Sequence, residues 1–143
     1  MHQVFVYGTL KRGYPNAHIG MPRAAFLGDY RTTERYPLVI GNRWFSPYLI
    51  SEPGIGFQVT GEVYAVDDAV LAEFDHLESV HLPDGYRRVE IAIEPFASGA
   101  PPPGPLLTKA WTYLRERRHI DIIHEGPMET YPLDPRYVPG TER

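Results

Sequence analysis

Phe57-Gln58-Val59-Thr60-Gly61-Glu62-Val63-Tyr64-Ala65-Val66 runs directly into Asp67-Asp68-Ala69-Val70-Leu71-Ala72-Glu73-Phe74-Asp75-His76-Leu77. In the first ten residues Val59, Gly61, Val63 and Ala65 fall on one side, and Gln58, Thr60, Glu62 and Tyr64 on the other. That is the period of a half-buried strand. Asp67-Asp68 then offers an N-cap. Beyond it the period changes: Val70, Leu71, Phe74 and Leu77 recur at helical spacing, so residues 69–77 are the best helix candidate in the chain.

Outward from this unit the chain is strand-like and heavily punctuated. Val4 to Tyr7 is a short β-branched and aromatic run stopped by Gly8. Ala24 to Tyr30, Tyr36 to Ile40, Trp44 to Ile50, Tyr86 to Glu94 and Leu106 to Leu114 are further short segments of this kind. Fifteen prolines and thirteen glycines separate them, which predicts many turns and a β-rich domain with few helices. The proline-rich stretch at about 97–105 reads as a flexible loop. From Glu125 onward, Pro127, Pro132, Pro135 and Pro139 predict an extended tail over about 125–143 without regular structure. No internal repeat or boundary divides residues 1–143, so one domain is expected.

Composition excludes several classes. With 143 residues, 43% hydrophobic and 22% charged, the chain has material for one core and is neither disordered nor membrane-embedded. No apolar run approaches the roughly 18 residues of a bilayer span. A net charge of -4 and the lack of a basic run argue against nucleic acid as a partner. The absence of cysteine removes disulfides, thiolate zinc sites and cysteine nucleophiles, and fits a reducing compartment. The start, Met1-His2-Gln3-Val4, reads as the first strand of a mature domain rather than a signal peptide, which makes the cytoplasm the default.

Four features carry chemistry. A glycine directly after a strand, as in Tyr7-Gly8-Thr9-Leu10, lets the backbone approach a ligand, and successive N–H groups there can hold a carboxylate or carbonyl oxygen. The alternative is an ordinary turn. Glu78 lies seven residues beyond Leu71, within the apolar stripe if the helix lasts so far. A carboxylate on such a face must be paired, or its pKa must rise, which suits general acid–base work near neutrality. If the helix instead ends at about His76, Glu78 is a surface loop residue. In Gly85-Tyr86-Arg87-Arg88, Tyr86 can present a hydroxyl near Glu78 and Arg88 can pair with a carboxylate; a strand start with solvated arginines is the plainer reading. His119, Asp121, His124 and Glu125 have metal-ligating types but fit no named zinc spacing. Arg115-Glu116-Arg117-Arg118 reads as a solvated turn. There is no phosphate loop, no dinucleotide fingerprint around Gly54-Ile55-Gly56 and no Gly-x-Ser-x-Gly elbow.

In this order, Val4-Phe5-Val6-Tyr7-Gly8-Thr9-Leu10-Lys11-Arg12-Gly13, Tyr36-Pro37-Leu38-Val39-Ile40, Gly61 to Asp67, Phe74-Asp75-His76-Leu77-Glu78-Ser79 and Glu125-Gly126-Pro127 resemble the γ-glutamylcyclotransferase-like (AIG2-like) family, nearest its γ-glutamylamine branch. The resemblance implies an α+β fold: a small mixed, mostly antiparallel barrel-like sheet with few flanking helices and one central cavity. It implies an enzyme that releases an amine from a γ-glutamyl amide as the glutamyl part closes to 5-oxoproline. It assigns the acid/base to Glu78, binding of the glutamyl group to the backbone of Tyr7, Gly8, Thr9 and Leu10, and cavity positions to Tyr86, Arg88 and Tyr113. It implies a small-molecule γ-glutamyl substrate, a monomer or weak dimer, and no cofactor or metal. The amine left open is a γ-glutamylamine such as γ-glutamyl-ε-lysine. The alternatives are a γ-glutamyl-protected metabolite, or a ligand bound without turnover.

Overall fold

A computed structural model describes residues 1–96 and 108–143. The elements run β1 (His2–Val6), β2 (Ala25–Thr32), β3 (Leu38–Gly41), β4 (Ser46–Ile50), β5 (Thr60–Val66), α1 (Asp68–Leu77), β6 (Arg87–Pro95), β7 (Thr108–Arg115) and β8 (Ile123–Met128), with short 3-10 turns at Arg117–His119 and Gly140–Glu142. The expected loop at about 97–105 and the start of the Leu106–Leu114 segment fall outside the described residues.

All eight strands join one sheet in the order β1-β5-β2-β6-β7-β4-β3-β8, and β1 also pairs with β7. That extra pairing closes β1, β5, β2, β6 and β7 into a small barrel, antiparallel at every seam except the parallel β1–β7 one. β4, β3 and β8 form an arm: β4 runs parallel to β7, and β3 pairs antiparallel with both β4 and β8. Among the described residues, one sheet that closes on itself with one α-helix against it is the α+β barrel-like fold that the resemblance implies.

One edge of β7 is shared. β1 meets it at Trp111 through Val4, and β4 takes over at Leu114 and Arg115 through Leu49 and Ile50. β1 must therefore peel away just where Tyr7-Gly8-Thr9-Leu10 begins, and the sheet forks there. Tyr7 bridges the fork: its hydroxyl donates to the Tyr113 carbonyl at 2.6 Å and accepts from the Leu49 N–H at 3.4 Å.

β1 and β5 are covered on both faces. Phe5, Tyr7, Val59 and Val63 point into the barrel core. Val4, Val6, Tyr64 and Val66 pack beneath Val70, Leu71 and Phe74 of α1. The half-buried reading of the 57–66 strand therefore needs correction: Tyr64, expected on the polar face, is only 5% exposed because α1 folds back over that face. Each large side chain so buried contributes roughly 1.5–3 kcal/mol. The helix itself is as the periodicity predicts, with the Asp67 carboxylate capping the Val70 N–H at 2.8 Å.

The tail departs from its expected irregularity. Residues 123–128 form β8 despite Pro127. Proline removes a donor, so it is tolerated where a strand pairs on one side only, and β8 is the outermost strand of the arm, joined to β3 through register shifts. Further along, the Tyr131 carbonyl accepts from the buried Lys11 Nζ at 2.9 Å and from the Tyr14 hydroxyl at 3.1 Å. The chain then returns to the fork.

Candidate active site

A cavity of about 470 Å³ opens at the fork, a size suited to a small molecule. Its walls come from the end of β1 and the following loop, the start of β4, the carboxyl end of α1, Tyr86, the end of β7, the Asn42–Trp44 and Asp121–Ile122 turns, and the tail.

The Tyr7–Leu10 backbone is buried against this space. Gly8 is needed for close approach: a Cβ there would lie 2.7 Å from Pro47 Cγ of β4. The loop folds on itself through Lys11 N–H to the Gly8 carbonyl at 3.1 Å and Asn16 N–H to the Thr9 carbonyl at 2.8 Å, while Asn16 Nδ2 holds Thr9 Oγ1 at 2.8 Å. Among the described residues, no protein group accepts from the N–H of Gly8, Thr9 or Leu10. Buried backbone donors are nearly always paired, and three successive ones left over beside a cavity are of the kind that can hold an anion or a carbonyl oxygen.

Glu78 is the C-cap of α1, and the helix end fixes it. Ser79 follows in the left-handed region, at φ 55°. Its N–H donates to the His76 carbonyl at 3.1 Å, and the Val80 N–H donates to the Asp75 carbonyl at 3.1 Å, which is the Schellman arrangement. The loop is then clamped back: the Tyr86 N–H donates to the Glu78 carbonyl at 3.1 Å, and a Cβ on Gly85 would lie 1.9 Å from the Ser79 oxygen. Both alternatives for Glu78 are thus partly realised. The helix stops at Leu77, yet Glu78 faces the cavity, not the outer surface. No described side chain donates to its carboxyl. Burial pushes its pKa from 4.5 up to about 7, against the opposing pull of the Arg115 and Arg143 cations.

The tyrosines around it are committed donors. Tyr86 Oη donates to the Pro47 carbonyl at 2.7 Å, and its ring stacks on Tyr48 with centroids 5.5 Å apart. Tyr113 Oη donates to Asp75 at 2.8 Å. Burial, then the Glu78 charge, pushes the Tyr7 hydroxyl well above 10.0; burial raises Tyr86 and Tyr113 likewise, with Glu78 a smaller contributor to each. All three stay neutral near pH 7.

Of the residues singled out in sequence, Tyr7, Gly8, Thr9, Leu10, Glu78, Tyr86 and Tyr113 line one cavity. Arg88 does not. It lies behind the wall, its Nε 2.9 Å from Asp75 Oδ1 and its guanidinium 4.4 Å from the Trp111 ring centroid. It supports Tyr113 through their common partner, Asp75. Arg115, read as part of a solvated turn, instead lines the cavity, its guanidinium 5.0 and 5.4 Å from the Tyr48 and Tyr86 rings. Asn16, Trp44, Tyr137 and Arg143 are further walls that sequence reasoning missed. Among the described residues, no three His, Cys, Asp or Glu side chains converge as a metal group would require, and His124 stacks on Phe45 at 4.1 Å. No described helix is long and apolar enough to cross a membrane.

Comparison with known proteins agrees with this fold. The family described as gamma-glutamyl cyclotransferase, AIG2-like, matches residues 4–131. The human gamma-glutamylaminecyclotransferase is 42% identical over 123 residues, covering 80% of this chain and 79% of that protein. Gamma-glutamylaminecyclotransferase C of Danio rerio is 43% identical over 97 residues, 65% of this chain and 62% of that protein. A Drosophila melanogaster relative, 45% identical, is matched over 59% of its own length. These last two alignments span less than two thirds of the relatives' lengths. The crystal structure of a mouse AIG2-like protein superposes with a TM-score of 0.82 at 30% identity, over 100% of this chain and 99% of the other.

Proposed function

The chain belongs to the gamma-glutamyl cyclotransferase, AIG2-like family, and from that premise we propose that its cavity cleaves a γ-glutamyl amide to 5-oxoproline and a free amine. The observation that carries the reading is the Glu78 carboxyl: unpaired, cavity-facing, and held at about 7. A group there exchanges protons both ways near neutrality.

The glutamyl α-amino group arrives protonated. Glu78 removes its proton. The freed amine attacks the γ-carbonyl of the same molecule, so proximity is largely built into the substrate. The carbonyl oxygen becomes an oxyanion, which the N–H groups of Gly8, Thr9 and Leu10 are suited to hold. Collapse breaks the amide C–N bond as Glu78 returns that proton to the departing nitrogen; the extra proton on the ring nitrogen then passes by way of Glu78 to the freed amine, which leaves as an ammonium, and Glu78 is a carboxylate again. Tyr7, Tyr86 and Tyr113 stay neutral and shape the wall, and Arg88 steadies it from behind through Asp75.

The gamma-glutamylaminecyclotransferase relatives favour a γ-glutamylamine, such as γ-glutamyl-ε-lysine, as substrate. The reading includes one domain working in the cytoplasm as a monomer or weak dimer. The test is 5-oxoproline release from γ-glutamyl-ε-lysine by wild type and Glu78→Gln. Release by the wild type alone is expected. Equal release by both would reject Glu78 as acid/base. Release by neither, with the ligand still bound, would favour a binding role.

A further inference from the structure

Tyr7, Tyr86 and Tyr113 spend their hydroxyl hydrogens on protein acceptors. Thr9 and Tyr137, which also line the cavity, hold their hydroxyls the opposite way. Thr9 Oγ1 and Tyr137 Oη both accept from one group, the Asn16 side-chain NH2, at 2.8 and 3.1 Å. An amide NH2 only donates. A hydroxyl that accepts from it must aim its own hydrogen elsewhere. Among the described residues, no protein group accepts that hydrogen from Thr9 or from Tyr137.

The amide is fixed from both sides. Asn16 is only 7% exposed. Its N–H donates to the Thr9 carbonyl at 2.8 Å, and its carbonyl accepts from the Ile19 N–H at 3.0 Å. Its two side-chain hydrogens are then divided between the loop after β1 and the tail. The tail meets it through a tied turn: Asp134 Oδ1 accepts from the Arg136 N–H at 2.9 Å, the Asp134 carbonyl accepts from the Tyr137 N–H at 3.2 Å, and the Val138 N–H donates to the Trp44 carbonyl at 3.1 Å. Two oxygens bonded to one nitrogen lie side by side, so Tyr137 Oη is brought next to Thr9, whose N–H is one of the three unpaired donors.

A buried amide that occupies two hydroxyl oxygens and leaves both hydrogens unspent at a cavity wall calls for an acceptor in the cavity. We propose that Asn16 is a positioning residue: its amide turns Thr9 Oγ1 and Tyr137 Oη into donors toward an acceptor oxygen of the substrate, of a carboxylate or a carbonyl. The proposal rests on the cyclotransferase reading and deepens it. The donor surface extends beyond the N–H groups of Gly8, Thr9 and Leu10 to two hydroxyls, and the tail supplies one of them. The residue type matters more than its shape. An aspartate there would only accept, so both hydroxyls would turn to it and away from substrate.

The test uses the full chain with Glu78→Gln, so that γ-glutamyl-ε-lysine binds without turnover and calorimetry reads its affinity. Asn16→Asp keeps the shape and both hydrogen bonds but reverses their direction. Tyr137→Phe keeps the ring and removes one hydroxyl. Tyr137→Phe is expected to weaken binding about 5-fold, the worth of one hydrogen bond, and Asn16→Asp about 10-fold or more. Tyr137→Phe added to Asn16→Asp should cost less than about 2-fold further, because that hydroxyl has already turned away. If Asn16 merely pinned the tail, Asn16→Asp would bind as its parent does. If the new charge merely repelled the substrate, Tyr137→Phe would cost its full factor in both backgrounds. Either result overturns the proposal, as does binding by none of the four proteins. Should Asn16→Asp not fold, Tyr137→Phe decides: the 5-fold loss supports the donor role and unchanged affinity overturns it. The expected pattern of binding, but no 5-oxoproline from wild type, would instead sink the cyclotransferase reading and leave the role of Asn16 standing.

Discussion

The carboxyl end of α1 carries two acids three residues apart, Asp75 and the C-cap Glu78, and treats them differently. Asp75 lies 2.9 Å from Arg88 Nε and accepts the Tyr113 hydroxyl at 2.8 Å. Glu78 meets neither a donor nor a paired cation, and burial lifts it to about 7. The helix turn is common to both, so the surroundings alone set the roles: one carboxylate fastens β6 and β7 to the helix, and the other is free to move protons.

Removing the cavity acid tests this contrast most severely. Glu78→Gln should lower kcat for 5-oxoproline release by roughly 10²- to 10⁴-fold, the usual worth of a positioned acid/base. The same change should stabilise the fold at alkaline pH. A carboxyl whose proton affinity rises on folding, here from 4.5 to about 7, contributes its stability while protonated. That contribution is full below about pH 4.5 and is lost as pH climbs through about 7. Glutamine does not titrate, so the variant's melting temperature should gain on wild type between pH 5 and pH 8. A gain at acid pH instead would contradict the burial argument.

Asp75→Asn attacks the other side. Asparagine can still accept from Tyr113 but leaves Arg88 without a counter-charge. We expect a loss of about 1–2 kcal/mol in urea unfolding, since the pair is half-buried, with kcat kept within about tenfold of wild type. A collapse of kcat at unchanged stability would make Asp75 a participant in the chemistry.

Arg115→Gln probes what limits the rise at Glu78. The Arg115 cation favours the carboxylate, so its removal should move the acid limb of the kcat/KM profile from about 7 to higher pH. At pH 7 this costs roughly 2- to 5-fold in kcat/KM. An unmoved profile would mean that another group governs it.

How much of this was legible depends on the range of the signal. The 57–77 strand and helix were readable because their periods are local. Glu78 was readable as a cavity candidate because it continues the helix stripe. Tyr64 was misread because the cover on its far side is the helix that follows, and a single-strand period cannot register that cover. Arg115 looked like one of three solvated arginines. Its place is set when β4 replaces β1 along β7, a pairing between residues about 65 positions apart. Arg88 was placed at the cavity by resemblance alone. The tail was invisible for a similar reason: Tyr137 and Arg143 become walls only through contacts with Asn16 and Trp44.

The smallest expected effect concerns what holds Glu78 in position. Ser79 occupies the left-handed region at φ 55°, where a non-glycine residue costs roughly 1 kcal/mol or more. Ser79→Gly removes that cost but gives the unfolded chain more freedom. The net gain should be about 0.5 kcal/mol, or roughly 1–2 °C in Tm for a chain of this length. Because Glu78 precedes the turn and Gly85 packs against Ser79 oxygen from behind, the glycine variant should keep the Schellman hydrogen bonds and turnover within about twofold. Ser79 also lines the cavity. A large loss of turnover in a variant as stable as wild type would therefore mean that its hydroxyl touches substrate, and that the strained conformation serves to aim that hydroxyl as well as Glu78.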